Sequence, residues 1–320
     1  MSNIALSTPI AAAPAAAERS GLWRALTSRL VIVVPYLWLF VFFLVPFIIV
    51  FKISLSQTAI AMPPYVPVFG VGEEGLFAQL RQLSLDNYLW LTEDALYFNA
   101  YVSSVVIAGI STIIALAVGY PIAYGMARAP ESVRPTLLML VILPFWTSFL
   151  LRDYAWIGIL KNNGLVNNFL MWTGIIDEPI VMLQTDFAIY VGIVYSYLPF
   201  MILPLYSNLE KMDLTLLEAA ADLGCRPFKA FMTITLPLSM SGIVAGSMLV
   251  FIPAVGEFVI PELLGPSDSL MIGKVLWNVF FTKRDWPAAC AVAIALLLLL
   301  VIPIVLLQRA QNAEAKGSHK

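Results

Sequence analysis

Glu257 is the one acidic residue that cannot be moved out of an apolar stretch, the run from Phe251 to Ile260. A carboxylate there needs a cation or hydrogen-bond donors, because an unpaired charge away from water is costly. Two roles fit it: a station for a cation crossing the bilayer, or a hydrogen bond to a neighbouring helix or partner subunit. Asp153 stands beside Arg152 in another apolar run. It could receive a cation, or pair with Arg152 as a local structural tie. Trp146, Tyr154, Trp156, Trp277 and Trp286 could offer ring faces to an ammonium group. The same rings would suit an interfacial aromatic belt that binds nothing. Glu262, Asp285 and Trp286 fall near the outer ends of apolar runs, where they could draw in a dication or meet a soluble partner. Such groups replace the water shell of a cation; they do not break bonds.

The rest of the sequence points away from enzymatic chemistry. No clustered nucleophile, acid–base pair or metal set accompanies these residues. Cys225 and Cys290 lack His or Cys neighbours at ligand spacing and read as small packing residues. His319, the one histidine, falls in the C-terminal tail. Gly273-Lys274 is the nearest fragment to a phosphate-binding Gly-x4-Gly-Lys-Ser/Thr loop, and it lacks both the upstream Gly and the Ser/Thr. The expectation is a chain that binds no cofactor or metal, and no basic tract suggests nucleic acid.

The elements that must position these groups are transmembrane helices. Of 320 residues, 60% are apolar and only 12% charged, so lipid must supply much of the solvent. The apolar runs are continuous, which favours helices over an alternating barrel pattern. Six spans are expected near 30–51, 101–126, 136–158, 187–206, 238–260 and 288–307, the whole forming an all-α membrane domain over 30–308. Residues 1–29 read as a largely disordered cytoplasmic tail and 309–320 as a second cytoplasmic tail. With the N-terminus inside, eleven Lys and Arg fall on inner segments and seven on outer ones, so the bias agrees with that orientation. The outer segment 52–100 is long and turn-rich, with the length to form a lid, a docking surface or a loose connector.

Residues 208–237 turn polar between two apolar stretches. Leu209, Met212, Leu216, Leu217 and Ala220 recur near helical spacing and leave Glu210, Asp213 and Glu218 exposed. Gly224 permits a positive-φ helix ending, and Pro227 suits the first turn of a second helix. Ala219 and Ala220 are small enough for another surface to approach closely. A plain amphipathic interfacial helix would carry more basic and aromatic residues. Pro237 is expected to open the fifth span.

The spacing Glu218-Ala219-Ala220, then Gly224, then Ile234-x-Leu236-Pro237 resembles the cytoplasmic loop of importer-type ATP-binding-cassette permeases. The resemblance implies that this helix docks in a groove of a separate ATPase subunit, where ATP and Mg would be bound. Leu143-Pro144-Phe145-Trp146-Thr147-Ser148, Leu160-Lys161-Asn162-Asn163-Gly164, Val194-Tyr195-Ser196-Tyr197-Leu198-Pro199, Phe251 to Gly265 and Arg284-Asp285-Trp286-Pro287 extend the match. They resemble the polyamine branch of that family, and within it the putrescine-transport permeases. That resemblance implies the type I importer permease fold, a second unlike permease, two ATPase copies, a periplasmic polyamine-binding protein and a bacterial inner-membrane address. A permease for spermidine or another solute stands in the same class; a channel or a membrane enzyme are the readings from other classes.

Overall fold

The computed structural model describes residues 31–68 and 76–317. The expected N-terminal tail, part of the outer segment and His319 lie outside the described residues. The chain divides into two compact units, Met1–Ile53 and Ser54–Lys320.

The first unit contributes helix α1 (Val31–Ser54), 24 residues long and with none of its apolar window buried. An all-round apolar helix of this length suits lipid or a partner helix. One turn, Phe40–Leu44, is wide, with Val45 N–H donating to Phe40 O. Pro46 follows directly and has no N–H to donate to the preceding turn, so the hydrogen-bond ladder shifts ahead of it.

The second unit opens with a short antiparallel hairpin, β1 (Gln57–Thr58) and β2 (Tyr65–Val66), with Gln57 opposite Val66. Helices α2 (Leu76–Arg81) and α3 (Asp86–Glu93) follow. Asn87 donates to the carbonyls of Ser54 and Ser56, each at 2.8 Å, and fixes this segment locally.

Helix α4 (Ala95–Arg128) has 34 residues and is about 51 Å long, well beyond the ~30 Å of hydrocarbon. Asp94 caps it by accepting from Leu96 N at 2.9 Å. Then come α5 (Arg134–Trp146, its last turn tight), α6 (Phe149–Leu160) and α7 (Leu165–Trp172). Helix α8 (Asp186–Glu210) begins at Thr185, whose hydroxyl accepts from Ala188 N. The polar segment forms α9 (Thr215–Asp222) and α10 (Pro227–Leu238). The chain ends with α11 (Met240–Val255), α12 (Val259–Leu263), α13 (Ile272–Trp277) and α14 (Trp286–Gly317).

Helices α4, α8 and α11 form the central bundle. Small residues let α11 approach α8: a Cβ on Gly242 would lie 2.8 Å from Asn208 Cβ, and one on Gly246 would lie 2.9 Å from Met201 Sδ. In lipid, where apolar burial does not drive association, such close backbone packing is a main source of helix pairing.

The described helices differ from the expected spans in detail. Among the described residues, three helices are long and apolar enough to span on their own, or five if each bent pair counts as one span. The expected third span is not continuous: Arg134–Trp146 and Phe149–Trp172 meet at 89°. Pro144 shapes the tight turn, and Thr147 and Ser148 are extended. The expected fifth span begins at Met240, after a 64° bend, so Pro237 closes the short helix before it. It stops at Val255, with Gly256 ending it and α12 starting afresh. The last helix runs to Gly317, through much of the segment expected as a tail; its apolar part is Trp286–Val301.

Candidate functional site

The polar segment is an exposed elbow with a built-in turn. Asp213 accepts from Thr215 N at 3.0 Å and starts α9. At its other end Gly224 has φ +75°, with Gly224 N donating to Ala221 O and Cys225 N to Ala220 O, both at 2.9 Å. That is the left-handed helix ending a glycine permits at little cost. Glu218 and Ala219 are exposed and Ala220 is buried. Leu223 and Phe228 stand out from the surface, 88% and 72% exposed. Two apolar side chains on a polar elbow make a surface fit for another protein.

The elbow is tied firmly to the bundle. The turn Phe231–Thr235 is wide, with Leu236 N donating to Phe231 O one residue before Pro237. This repeats the offset seen at Pro46. Phe231 meets Tyr120 and Tyr124 of α4 edge-on, at 5.6 and 6.1 Å. Tyr120 OH and Ser239 Oγ are 2.9 Å apart, and Ser239 Oγ donates to Leu236 O. Arg134 pairs with Glu210 at 3.6 Å, and Tyr206 OH donates to the same carboxylate at 2.6 Å. Packed rings and hydrogen bonds thus join the elbow to α4, and an ion pair beside it joins α5 to α8.

The acidic residues Asp153 and Glu257 come together in the core. Glu257 lies in the break between α11 and α12 and is 7% exposed. Tyr197 of α8 donates its hydroxyl to Glu257 Oε2. Phe258 N and Val259 N donate to Oε1 at 3.1 and 3.0 Å, so Glu257 also starts α12. Asp153 of α6 is fully buried, and neither of its oxygens has a hydrogen-bond partner. The charges of Glu257 and Arg152 both act on it, so the three residues form one electrostatic cluster. Arg152 does not make the expected local tie. Its Nε and Nη1 are buried without partners, and its guanidinium lies 5.5 and 5.6 Å from the rings of Phe145 and Phe149. Adjacent helical residues point about 100° apart, which is why neighbours in sequence fail to meet here.

The remaining candidates divide. Trp277 stacks on Phe258 at 4.5 Å and touches Phe281 at 4.1 Å, so an aromatic ladder runs outward from the residue after Glu257. Trp146 and Tyr154 face away from this chain, 70% and 57% exposed, and do not join the cluster. Trp156 meets Tyr195 edge-on at 5.3 Å. Glu262 pairs with Lys274 at 3.3 Å. Asp285 accepts from Thr58 Oγ1 at 2.7 Å and from Ala288 N at 3.2 Å, and Trp286 stacks on Phe280. These last two bind the hairpin to the start of α14. Both cysteines are free, Cys290 buried and Cys225 partly so. Among the described residues no group of three or more His, Cys, Asp or Glu could hold a metal ion.

Sequence reasoning passed over Tyr197, Phe258 and the Gly242-x3-Gly246 stripe. The glycine spacing was a usable signal. Tyr197 carried none, since its partner lies 60 residues away.

The second unit is a bundle of broken apolar helices with an exposed polar elbow and a buried carboxylate, Glu257, at a helix break. Residues 119–315 match the family described as binding-protein-dependent transport system inner membrane component, and the chain belongs to that family. Members of this class are non-catalytic transport subunits. The spermidine/putrescine transport system permease protein PotB of Escherichia coli strain K12 is 44% identical over 227 residues, 71% of this chain and 82% of that protein. PotB of Haemophilus influenzae is 38% identical over 283 residues, 88% of this chain and 93% of its own. Among solved structures, a chain of a bacterial ABC transporter importing the acidic polysaccharide alginate superposes with a TM-score of 0.67 at 15% identity, covering 92% of this chain and 98% of its own. A structure of the alginate transporter in complex with an alginate pentasaccharide-bound periplasmic protein gives 0.65 over 90% of this chain and 94% of its own. At such identity the likeness is one of fold.

Proposed function

We infer that this chain is one of two unlike permease subunits of an ATP-driven importer that moves polyamines, putrescine foremost, into the cytoplasm by alternating access. The observation that carries the cargo is the 44% identity to a spermidine/putrescine permease over 71% of the chain. The buried carboxylates agree with it, since a dication in lipid needs anionic or aromatic replacements for water. In this reading the six expected spans form in the assembled transporter, with both termini cytoplasmic. Glu218, Ala219, Ala220 and Gly224 seat α9 in a cytoplasmic ATPase, present in two copies. Glu257, Asp153 and Trp277 line the route, and Trp146 and Tyr154 face it from the partner side. Glu262, Asp285 and Trp286 stand at the outer mouth, where a periplasmic polyamine-binding protein delivers its load.

The energetics fit an engine-driven importer. A dication gains about 4.6 kcal/mol moving inward at 100 mV, twice the ~2.3 kcal/mol per charge. Passive entry would already be downhill, so ATP serves scavenging at low concentration and a closed path between cycles. Switching a two-state bundle from 1:99 to 99:1 takes about 5.5 kcal/mol, which the elbow must transmit.

The test is uptake of labelled putrescine and spermidine by cells lacking their own polyamine uptake and carrying this gene with its neighbouring reading frames. Saturable, ATP-dependent uptake is expected, with putrescine the better competitor. A spermidine preference would reverse the finer assignment, and uptake of neither would remove polyamines as the cargo.

A further inference from the structure

Glu257 was the stronger candidate in the sequence, yet in the structure it is the satisfied one. It already receives three donors, from Tyr197 OH, Phe258 N and Val259 N. Asp153 is the opposite case: fully buried, with both carboxylate oxygens unpartnered. A buried carboxylate in that condition calls for a cation or for protonation. Arg152 donates no hydrogen bond to it. It lines a cavity of about 350 Å³ with Thr147, Leu151 and Tyr195, to which Asp153 does not contribute. Phe149, Trp156 and Tyr197 pack together against one apolar core cluster. Two backbone breaks bound the cluster, the extended Thr147–Ser148 and the turn at Gly256. Breaks of this kind are where a membrane bundle opens around a solute.

We propose that Asp153 receives a primary ammonium group of the transported solute, and that Glu257 positions the adjacent helix break and does not hold the solute itself. This rests on the polyamine reading above. The cation enters when the 89° bend between α5 and α6 moves, because Asp153 is sealed in the conformation described. Glu257 keeps α12 and Tyr197 in register beside it, and its charge raises the attraction for a cation at Asp153.

The experiment uses the intact transporter expressed with its own partner subunits. For Asp153→Asn, the KM for butane-1,4-diamine uptake should rise about tenfold at wild-type abundance in the membrane. Asp153→Glu should recover part of the loss. Uptake equal to wild type in Asp153→Asn would overturn the proposal, while a wild type that imports no diamine at all would sink the polyamine reading first. Recovery in an Arg152→Gln, Asp153→Asn double variant would also overturn it, by showing a local pair only. A changed dependence on sodium or potassium with KM for the diamine intact would do the same. If Asp153→Asn does not accumulate, zero-length carbodiimide coupling during turnover decides on the wild-type complex. Mass spectrometry should then find the diamine joined as an amide at Asp153; joining at Glu257 alone, or at neither, refutes the assignment.

Discussion

The elbow at residues 213–238 and the cluster of Asp153, Arg152, Tyr197 and Glu257 are opposites in physical terms. On the elbow Glu218 is exposed and free to change partners, and its backbone ends are closed by Gly224 and Asp213. In the cluster the backbone is broken and the charges are buried, some without partners. One region is locally complete and offers a surface; the other is locally incomplete, with buried polar atoms left without partners. A surface that must fit a foreign protein tolerates little change of shape. On the reading proposed above, the cluster must bind and release a cation and so tolerates little change of charge.

The largest effect should come from breaking the elbow. Gly224→Pro imposes φ near −65° where the chain has +75° and removes the N–H donated to Ala221 O, a local cost of about 3 kcal/mol or more. Glu218→Lys leaves the fold alone, because Glu218 is exposed, and reverses the charge on the docking face. Uptake should fall about 100-fold or more in both, with insertion in the membrane unchanged. Normal uptake in either, measured with the ATPase present, would show that the elbow is not the contact that drives transport.

Glu257→Gln comes next and sharpens the contrast inside the cluster. A glutamine still accepts through one oxygen but loses a charge-assisted bond from Tyr197 or from the Phe258 and Val259 amides, worth about 1.5–3 kcal/mol. Uptake should drop about tenfold, and more than assembly does. Unchanged transport kinetics would take Glu257 out of the route and out of its positioning role alike.

The two regions also differed in how far the sequence exposed them. The elbow's motif is local: Glu218 to Pro237 lie within one short segment, so type and spacing carry the pattern. Continuous apolar runs likewise marked α4 and α8 to within six residues of their ends. The cluster is assembled from α6, α8 and the α11–α12 break, and no sequence window contains all three. Arg152 and Asp153, adjacent in sequence, suggested a pair that helix geometry keeps apart. The bend at Thr147–Ser148 was hidden because apolar residues continue on both sides of it, with only Pro144 as a sign. The 64° turn at Ser239 was hidden for the same reason, since Pro237 fits equally well at the end of one helix or the start of the next.

A third variant asks how the two regions communicate. Gly246→Val would place a Cβ 2.9 Å from Met201 Sδ and 3.0 Å from Met201 O, and force α11 from α8. Overpacking of this kind costs roughly 1–3 kcal/mol. Membrane abundance should fall severalfold, while the uptake that remains per molecule keeps its KM. If KM rises with abundance unchanged, the α8–α11 contact is part of the moving path between elbow and cluster and not a static support.

The smallest effect belongs to the hairpin clasp. Thr58 Oγ1 donates to Asp285 Oδ1 at 2.7 Å, an exposed bond that joins β1 to the start of α14. Thr58→Val keeps the shape and removes the donor, at a cost of about 1 kcal/mol or less, because water can replace it. Asp285 still accepts from Ala288 N, so α14 keeps its cap. Proteolysis within 57–66 should quicken while uptake changes by less than about twofold. A drop as large as that for Glu257→Gln would mean that the hairpin takes part in receiving the solute or its carrier. The division into one shape-critical and one charge-critical region would then need a third, on the outer face.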